Sequence, residues 1–330
     1  MRTRTLLRLA LPLLTGLLAA ASPLLASAQA WPGAKPITLV VPFTAGGSVD
    51  FSARLVATRL GERLKQSVVV ENVAGAGGAI GVTRVTQANP DGYTLVVGPD
   101  SPIAIGRLVN PAAFKYDPLT DLAPVGLIST APMVLVARPG LPVNSYAEFV
   151  QLAKKSPGRY SYATSGIGTV LQLSMELLKE QSGTFVTHIP YRGGAQIASD
   201  VIGNQVDLAM LVATTAAPHV LAGRVKALGV TGGKRLAALP QVPTFGEMPG
   251  LKGYEMNTWI GLFAPARTPA DIVSRLNHEL GEVLKSDEVR AKFAEQGATA
   301  GSGSAAEFGA FVRAEYTRNQ KIVQRANIKE

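Results

Sequence analysis

The sequence predicts an α/β protein with mostly parallel sheets flanked by helices, folded as two lobes about a cleft. Three observations predict it. Apolar strand-like runs alternate with amphipathic helical runs along the chain. Several of the strand runs are apolar throughout, as in strands covered on both faces. Two extended stretches, 123-APVGLISTAPMVLVARPG-140 and 249-PGLKGYEMNTWIGLFAPA-266, read as crossings between domains. A double crossover makes a hinge, with a cleft between the lobes.

Residues 1–30 stand apart from this pattern. Arg2, Arg4 and Arg8 precede an apolar stretch from Leu9 to Leu25, and 28-AQA-30 offers small residues for cleavage after Ala30. This reads as a secretory signal peptide, placing the protein outside the cytoplasm. A membrane anchor is the alternative, and Pro12, Pro23 and the small-residue exit argue against it. The chain has no Cys, which excludes a lipidated cysteine, disulfides and thiolate chemistry. Without the leader, 29 Lys and Arg face 23 Asp and Glu, a balance of +6. That field favours small anions, and the absence of any dense basic run excludes a nucleic-acid partner.

Strands are expected at 37–43, 67–73, 93–98, 133–138, 160–165, 187–191, 206–211, 225–231 and 259–265. The clearest helix follows the first strand: Ala53, Val56, Ala57, Leu60 and Leu64 fall on one face. The crossings divide the chain into lobe 1, residues 31–131 with 256–330, and lobe 2, residues 132–255.

Strand–turn–helix junctions are the candidate binding elements. In 42-PFTAGGSVD-50, Gly46 and Gly47 let the backbone turn sharply, and Asp50 sits in the first helical turn. Backbone N–H groups near Thr44 to Ser48 would hold an anion there; a plain turn is the alternative. A second junction, 162-YATSGIGTVLQLSMELL-178, offers Thr164, Ser165, Gly166 and Thr169. A third, 190-PYRGG-194, offers Tyr191 as a wall or donor, and Arg192 as either a carboxylate partner or a solvated surface residue. The glycine run 74-AGAGGAIG-81 has Ile80 where a dinucleotide fingerprint needs Gly, and reads as a packing turn and a possible cleft wall.

Tests for catalysis find nothing. No G-x-S-x-G occurs, and His188, His219 and His278 are scattered and read as structural or surface residues. His278-Glu279 lacks the second His of a zinc motif, and no acidic cluster suggests a metal. The expectation is a binding protein with no cofactor and no metal, not an enzyme. A periplasmic hydrolase would need a nucleophile–base pair.

The order of the leader, 36-PITLVVPFTAGGSVD-50, 68-VVVENVAGAGGAIG-81, 89-NPDGYTLVVG-98, 161-SYATSGIGT-169, 188-HIPYRGGAQIASDVIGNQVDL-208, 226-KALGVTGGKRLAALPQVPTFGEMPGLKGYE-255 and 257-NTWIGLFAPARTP-269 resembles the Bug/TctC family. These are the periplasmic substrate-binding proteins of tripartite tricarboxylate transporter systems. The resemblance implies a type II, Venus-flytrap binding protein, expected to be monomeric, that closes on a small organic acid, either a mono- or a dicarboxylate, aromatic acids included. Its partner would be an inner-membrane permease or, alternatively, a sensor kinase. It also implies a carboxylate held by Phe43, Thr44, Ala45, Gly46, Gly47 and Asp50 from one lobe. Thr164, Ser165, Gly166, Thr169, Tyr191, Arg192 and Gly193 face them, and Ser101, after the third strand, joins the set. Where the family often has Pro, this chain has Thr44; near 211 and 212, where many members carry Asp or Asn, it has Leu211 and Val212. Likewise 99-PDSPIAI-105 replaces a Thr/Ser-rich stretch. A less polar distal pocket suits a monocarboxylate or aromatic acid better than citrate.

Overall fold

A computed structural model describes residues 31–325 and residue 328; the expected signal peptide lies outside the described residues. From the N-terminus come β1 (Ile37–Val41), α1 (Ser48–Leu64), β2 (Val68–Asn72), α2 (Ala79–Thr86) and β3 (Thr94–Pro99). A single π-helical turn at Ser101–Ile105 then enters α3 (Gly106–Val109). Next are β4 (Leu122–Ala137), α4 (Tyr146–Lys155), β5 (Ser161–Thr164), α5 (Val170–Ser182) and β6 (Thr187–Pro190). α6 (Gly194–Ile202), β7 (Leu208–Val212), α7 (Ala213–Leu221) and β8 (Lys226–Val230) follow. The chain ends with β9 (Asn257–Pro265), α8 (Ala270–Lys285), α9 (Asp287–Glu295), β10 (Thr299–Ala300) and α10 (Ala305–Arg325). Every strand expected from the apolar runs is present, the run at 133–138 being the end of the much longer β4.

β4 explains the two-lobed architecture. Its first part, Leu122–Pro132, pairs with β9, while Met133–Ala137 pairs with β7 and β8. At 16 residues it spans roughly 50 Å at strand rise. The order β2-β1-β3-β9-β4-β7-β5-β6 is therefore continuous through it. The flanks are parallel: β1 with β2 and β3, β5 with β6 and β7. The middle is antiparallel, because β9 returns from the crossing in the sense opposite to β4. Parallel order thus belongs to the flanks, and the sheet as a whole is mixed.

Both faces of each half are covered. Met133, Leu135 and Ala137 enter one core and Val134 and Val136 another, as strand alternation requires. In the other half Leu39 and Val41 pack with Leu60 and Leu280, while Val40 and Val96 pack with Trp259, Phe263 and Phe308. The predicted apolar face of α1 is buried at Ala53, Val56, Ala57, Leu60 and Leu64. Each large aliphatic or aromatic side chain so buried contributes about 1.5–3 kcal/mol. α10 leans on both halves: Phe308 and Val312 join the Trp259 core, and Val323 joins the core beneath Met133 and Leu135.

Candidate functional site

The loop after β1 turns at Gly46, whose φ of +82° lies in the left-handed region that favours glycine. Gly47 is the N-cap of α1, and no side chain caps the helix. The first N–H groups of α1 therefore keep donor capacity, and the helix dipole adds partial positive charge. Asp50 braces this loop from behind. Its carboxylate accepts from Gly46 N–H at 2.9 Å, from Arg54 Nε at 3.0 Å and from Asn72 Nδ2 at 3.0 Å. Asn72 also donates to the Phe43 carbonyl at 3.0 Å. Burial raises the Asp50 pKa, but the bonds from Arg54, Gly46 and Asn72 outweigh it and hold the carboxyl below its ordinary range.

The facing junction is built by its own hydroxyls. Thr169 caps α5 by accepting Gln172 N–H, and its hydroxyl donates to the Gly166 carbonyl at 2.8 Å. Thr164 Oγ1 lies 3.2 Å from the Gly166 carbonyl and 2.6 Å from His188 Nε2. His188 stacks on Tyr162, and burial pushes its pKa down to about 4. Thr164 and His188 make a hydroxyl–imidazole contact, but Thr164 is fully buried beneath the loop and neither lines the cleft. Tyr191 donates its hydroxyl to Asp200 at 2.7 Å, and Arg192 is exposed.

The two sides meet across the cleft. Ser101 Oγ accepts the N–H of Val170, the first residue of α5, at 3.1 Å. A β-carbon on Gly77 would lie 2.8 Å from the Ile167 carbonyl, so the glycine run 74–78 serves close approach between the lobes. Gly194, at the start of α6, and Gly47 face each other: a β-carbon on Gly47 would lie 3.7 Å from Gly194 N. The narrow cavity between them measures about 40 Å³. One water needs ~10–15 Å³ on this scale, so the enclosed part of the cleft holds roughly three waters.

Of the residues expected at the site, Phe43, Thr44, Gly47, Ser101 and Ser165 line this cavity. Ala45 and Gly46 are exposed, Gly46 lying beside Ala195 of α6, and Gly166 packs on Gly77. Gly193 packs on Thr44. The side chains of Asp50, Thr164, Thr169 and Tyr191 are engaged with neighbours inside their own lobes. Sequence reasoning missed Asp100, Thr215 and Thr258, and the apolar wall of Val49, Leu171 and Ile260. Leu211 and Val212, singled out as apolar replacements, are indeed at the wall.

No Lys, Arg or His lines the cavity among the described residues, and Asp100 is the one titratable side chain there. Burial pushes its carboxyl up to about 7, against hydrogen bonds from Thr258, Ser101 and Trp259. Thr44 Oγ1 is buried and has no hydrogen-bond partner among the described residues. The arrangement offers helix N-termini and hydroxyls to a weakly solvated anion. Among the described residues that line it there is no aligned nucleophile and base. Among the described residues no His, Cys, Asp and Glu cluster suits a metal, and no helix is long and apolar enough to cross a membrane.

The model of the tripartite tricarboxylate transporter family receptor matches residues 52–328. BugT of Bordetella pertussis is 35% identical over 274 residues, covering 83% of this chain and 83% of BugT. A solved R. palustris protein with adipate is 37% identical at a TM-score of 0.86, over 90% of this chain and 98% of that one. The periplasmic binding protein BugD is 34% identical at a TM-score of 0.85, over 90% of this chain and 99% of BugD.

Proposed function

The chain belongs to the tripartite tricarboxylate transporter receptor family, the Bug/TctC periplasmic solute-binding proteins, and from that premise we propose that it captures a small organic monocarboxylate with an apolar body. The family consists of binding proteins of transporters, not enzymes. Lobe 1 is taken as residues 31–131 with 256–330 and lobe 2 as 132–255, with α10 leaning on both. Cleavage after Ala30 releases the protein into the periplasm, where it works as a monomer and passes its ligand to an inner-membrane permease.

One observation carries the reading of the ligand. Two helix N-termini and the Thr44 hydroxyl, unpartnered among the described residues, converge on a cavity whose remaining wall sets Leu171, Leu211 and Ile260 beside the hydroxyls of Thr215 and Thr258, with no Lys, Arg or His lining it among the described residues. One carboxylate satisfies the donors. A second or third carboxylate meets Leu171, Leu211 and Ile260, the neutral hydroxyls of Thr215 and Thr258, or the Asp100 carboxyl, with no cation among the described residues to balance its charge. Hydrogen bonds to an ionised group contribute about 1.5–3 kcal/mol each. Three or four sustain a dissociation constant on the order of micromolar after closure costs.

A thermal-shift series on residues 31–330 with acetate, benzoate, adipate, malate and citrate tests this. Ligand at 100 times its dissociation constant stabilises the fold by about 2.7 kcal/mol. The expected result is a rise in Tm with a monoacid and the least effect with citrate. Preference for citrate overturns the ligand class, and a flat series overturns the carboxylate site. Delivery is tested by uptake of the labelled acid into spheroplasts with and without added protein; equal uptake rejects the permease role.

A further inference from the structure

Asp100 and Ser101 lie at the cavity wall where lobe 1 meets the N-terminus of α5. Asp100 Oδ1 accepts the Ser101 hydroxyl at 3.1 Å, and Oδ2 accepts Trp259 N–H at 3.2 Å. Ser101 Oγ accepts Val170 N–H from the other lobe. A hydroxyl has one proton to donate and two positions to accept. While Asp100 is ionised, the single Ser101 proton is committed to it, and Ser101 has nothing to donate into the cavity it lines. When Asp100 is protonated the polarity reverses. The acid donates to Ser101 Oγ, the Val170 bond persists, and the Ser101 proton turns toward the cavity. Protonation thus removes the one negative charge that the described residues place on the wall and creates a donor for an anion.

We propose that the Asp100–Ser101 pair makes ligand capture proton-linked: a carboxylate enters the closed cleft together with one proton, which resides on Asp100. The inference rests on the cleft being a carboxylate site. The proton comes from solvent, no other bond changes, and the charge brought into the cavity is zero.

The surroundings leave Asp100 free to respond. β3 and β9 carry no titratable side chain. On α1, Asp50 is engaged with Arg54; on α5, Glu176 is engaged with Tyr162 and Lys179. Arg107 of α3 donates to the Tyr116 carbonyl. On α10, Glu307 accepts from Ser304 and Glu315 pairs with Arg318. Burial raises the Asp100 carboxyl to about 7, against the lowering effect of the bonds from Thr258, Ser101 and Trp259. An anion beside Ser101 raises it further, because a like charge disfavours ionisation. In the open protein water reaches the carboxyl and lowers it, so closing on an anion draws in a proton.

Isothermal titration of residues 31–330 with benzoate, and with adipate as a second probe, tests the link. Titrations run from pH 5.5 to 8.5 in two buffers of different ionisation enthalpy. The expected result is uptake of up to one proton per ligand near neutral pH, with Kd weakening by as much as tenfold per pH unit above it. Asp100→Asn donates to Ser101 at every pH. It should show no proton uptake and bind at pH 8.5 as the native protein binds at pH 5.5. Ser101→Ala should weaken binding several-fold at low pH and flatten the profile. Binding without proton uptake, or an unchanged slope in D100N, overturns the proposal and leaves the carboxylate site standing. No binding of either acid by the native protein overturns both. Should D100N fail to fold, proton uptake by the native protein decides.

Discussion

Gly193 and Thr44 meet across the cleft so closely that a β-carbon on the glycine would stand 2.0 Å from the threonine hydroxyl. Gly193 has a φ of 174°, extended backbone that any residue adopts, so its own chain does not require glycine. The requirement comes from the opposite lobe. Two loops with no sequence relation to each other fit only when one lacks a side chain.

Gly193→Ala should therefore obstruct closure without disturbing either lobe. The expected outcome is an unchanged urea midpoint and a ligand Kd at least tenfold weaker. Thr44→Ala in the same chain removes the nearest atom and leaves the Thr44 β-carbon position 3.3 Å away, so the double variant should recover part of the affinity. Additive losses in that cycle would show that the two residues do not act through their contact.

The Thr44 hydroxyl has no hydrogen-bond partner among the described residues, so Thr44→Val gives up no hydrogen bond within them. Its stability should be equal to or slightly above that of the native chain. Ligand binding should weaken by roughly 5–20-fold, the equivalent of one hydrogen bond to a charged group at the low end of its range. Calorimetry beside a denaturant melt separates the two quantities. A stability loss with intact affinity would assign Thr44 to the fold instead.

The elements were legible because their signals are local. β1, the glycine loop and the buried face of α1 are all written within residues 37–64, and the structure places them as read. The side-chain roles were less legible because they depend on distant partners. Thr164 and Thr169 looked like ligand donors at a helix start, yet His188 and the Gly166 carbonyl take their hydroxyls. Asp100 was read only as part of the stretch 99-PDSPIAI-105, without a role of its own: its carboxyl is held by Trp259 N–H, 159 residues away. Strand sense was half legible, since periodicity marks a strand but not the direction in which β9 returns.

Asp50 should prove a stabiliser of the loop. Its folded pKa is depressed, so its contribution is present above the unfolded value of 3.8 and is lost as pH falls through the folded one. Asp50→Asn is expected to cost roughly 1.5–3 kcal/mol at pH 7, from weakened bonds to Gly46 N–H and Arg54. The gap to the native protein should close below pH 4. A gap that stays constant from pH 7 to pH 3 would mean that the ionised carboxylate is not what matters.

Asp100 and His188 should pull the pH dependence of stability in opposite directions. The Asp100 carboxyl is raised by burial to about 7. Its contribution is full below the unfolded carboxyl value and is lost as pH rises through about 7. The His188 imidazole is lowered by burial to about 4. Its contribution is full above about 6.5, the unfolded value, and is lost as pH falls toward 4. Between those limits each group alone gives a slope of up to ~1.4 kcal/mol per pH unit, of opposite sign, so the native protein should vary little. Asp100→Asn removes the falling limb. Its stability should rise with pH from 4 to 6.5 and exceed that of the native chain above pH 7. His188→Gln removes the rising limb, and its stability should fall with pH over the same interval. Urea melts at pH 4.5, 5.5, 6.5 and 8 resolve the three curves. Parallel curves for the native protein and D100N would show that the Asp100 carboxyl is ionised and solvated, which would also remove the basis for a proton-linked cleft.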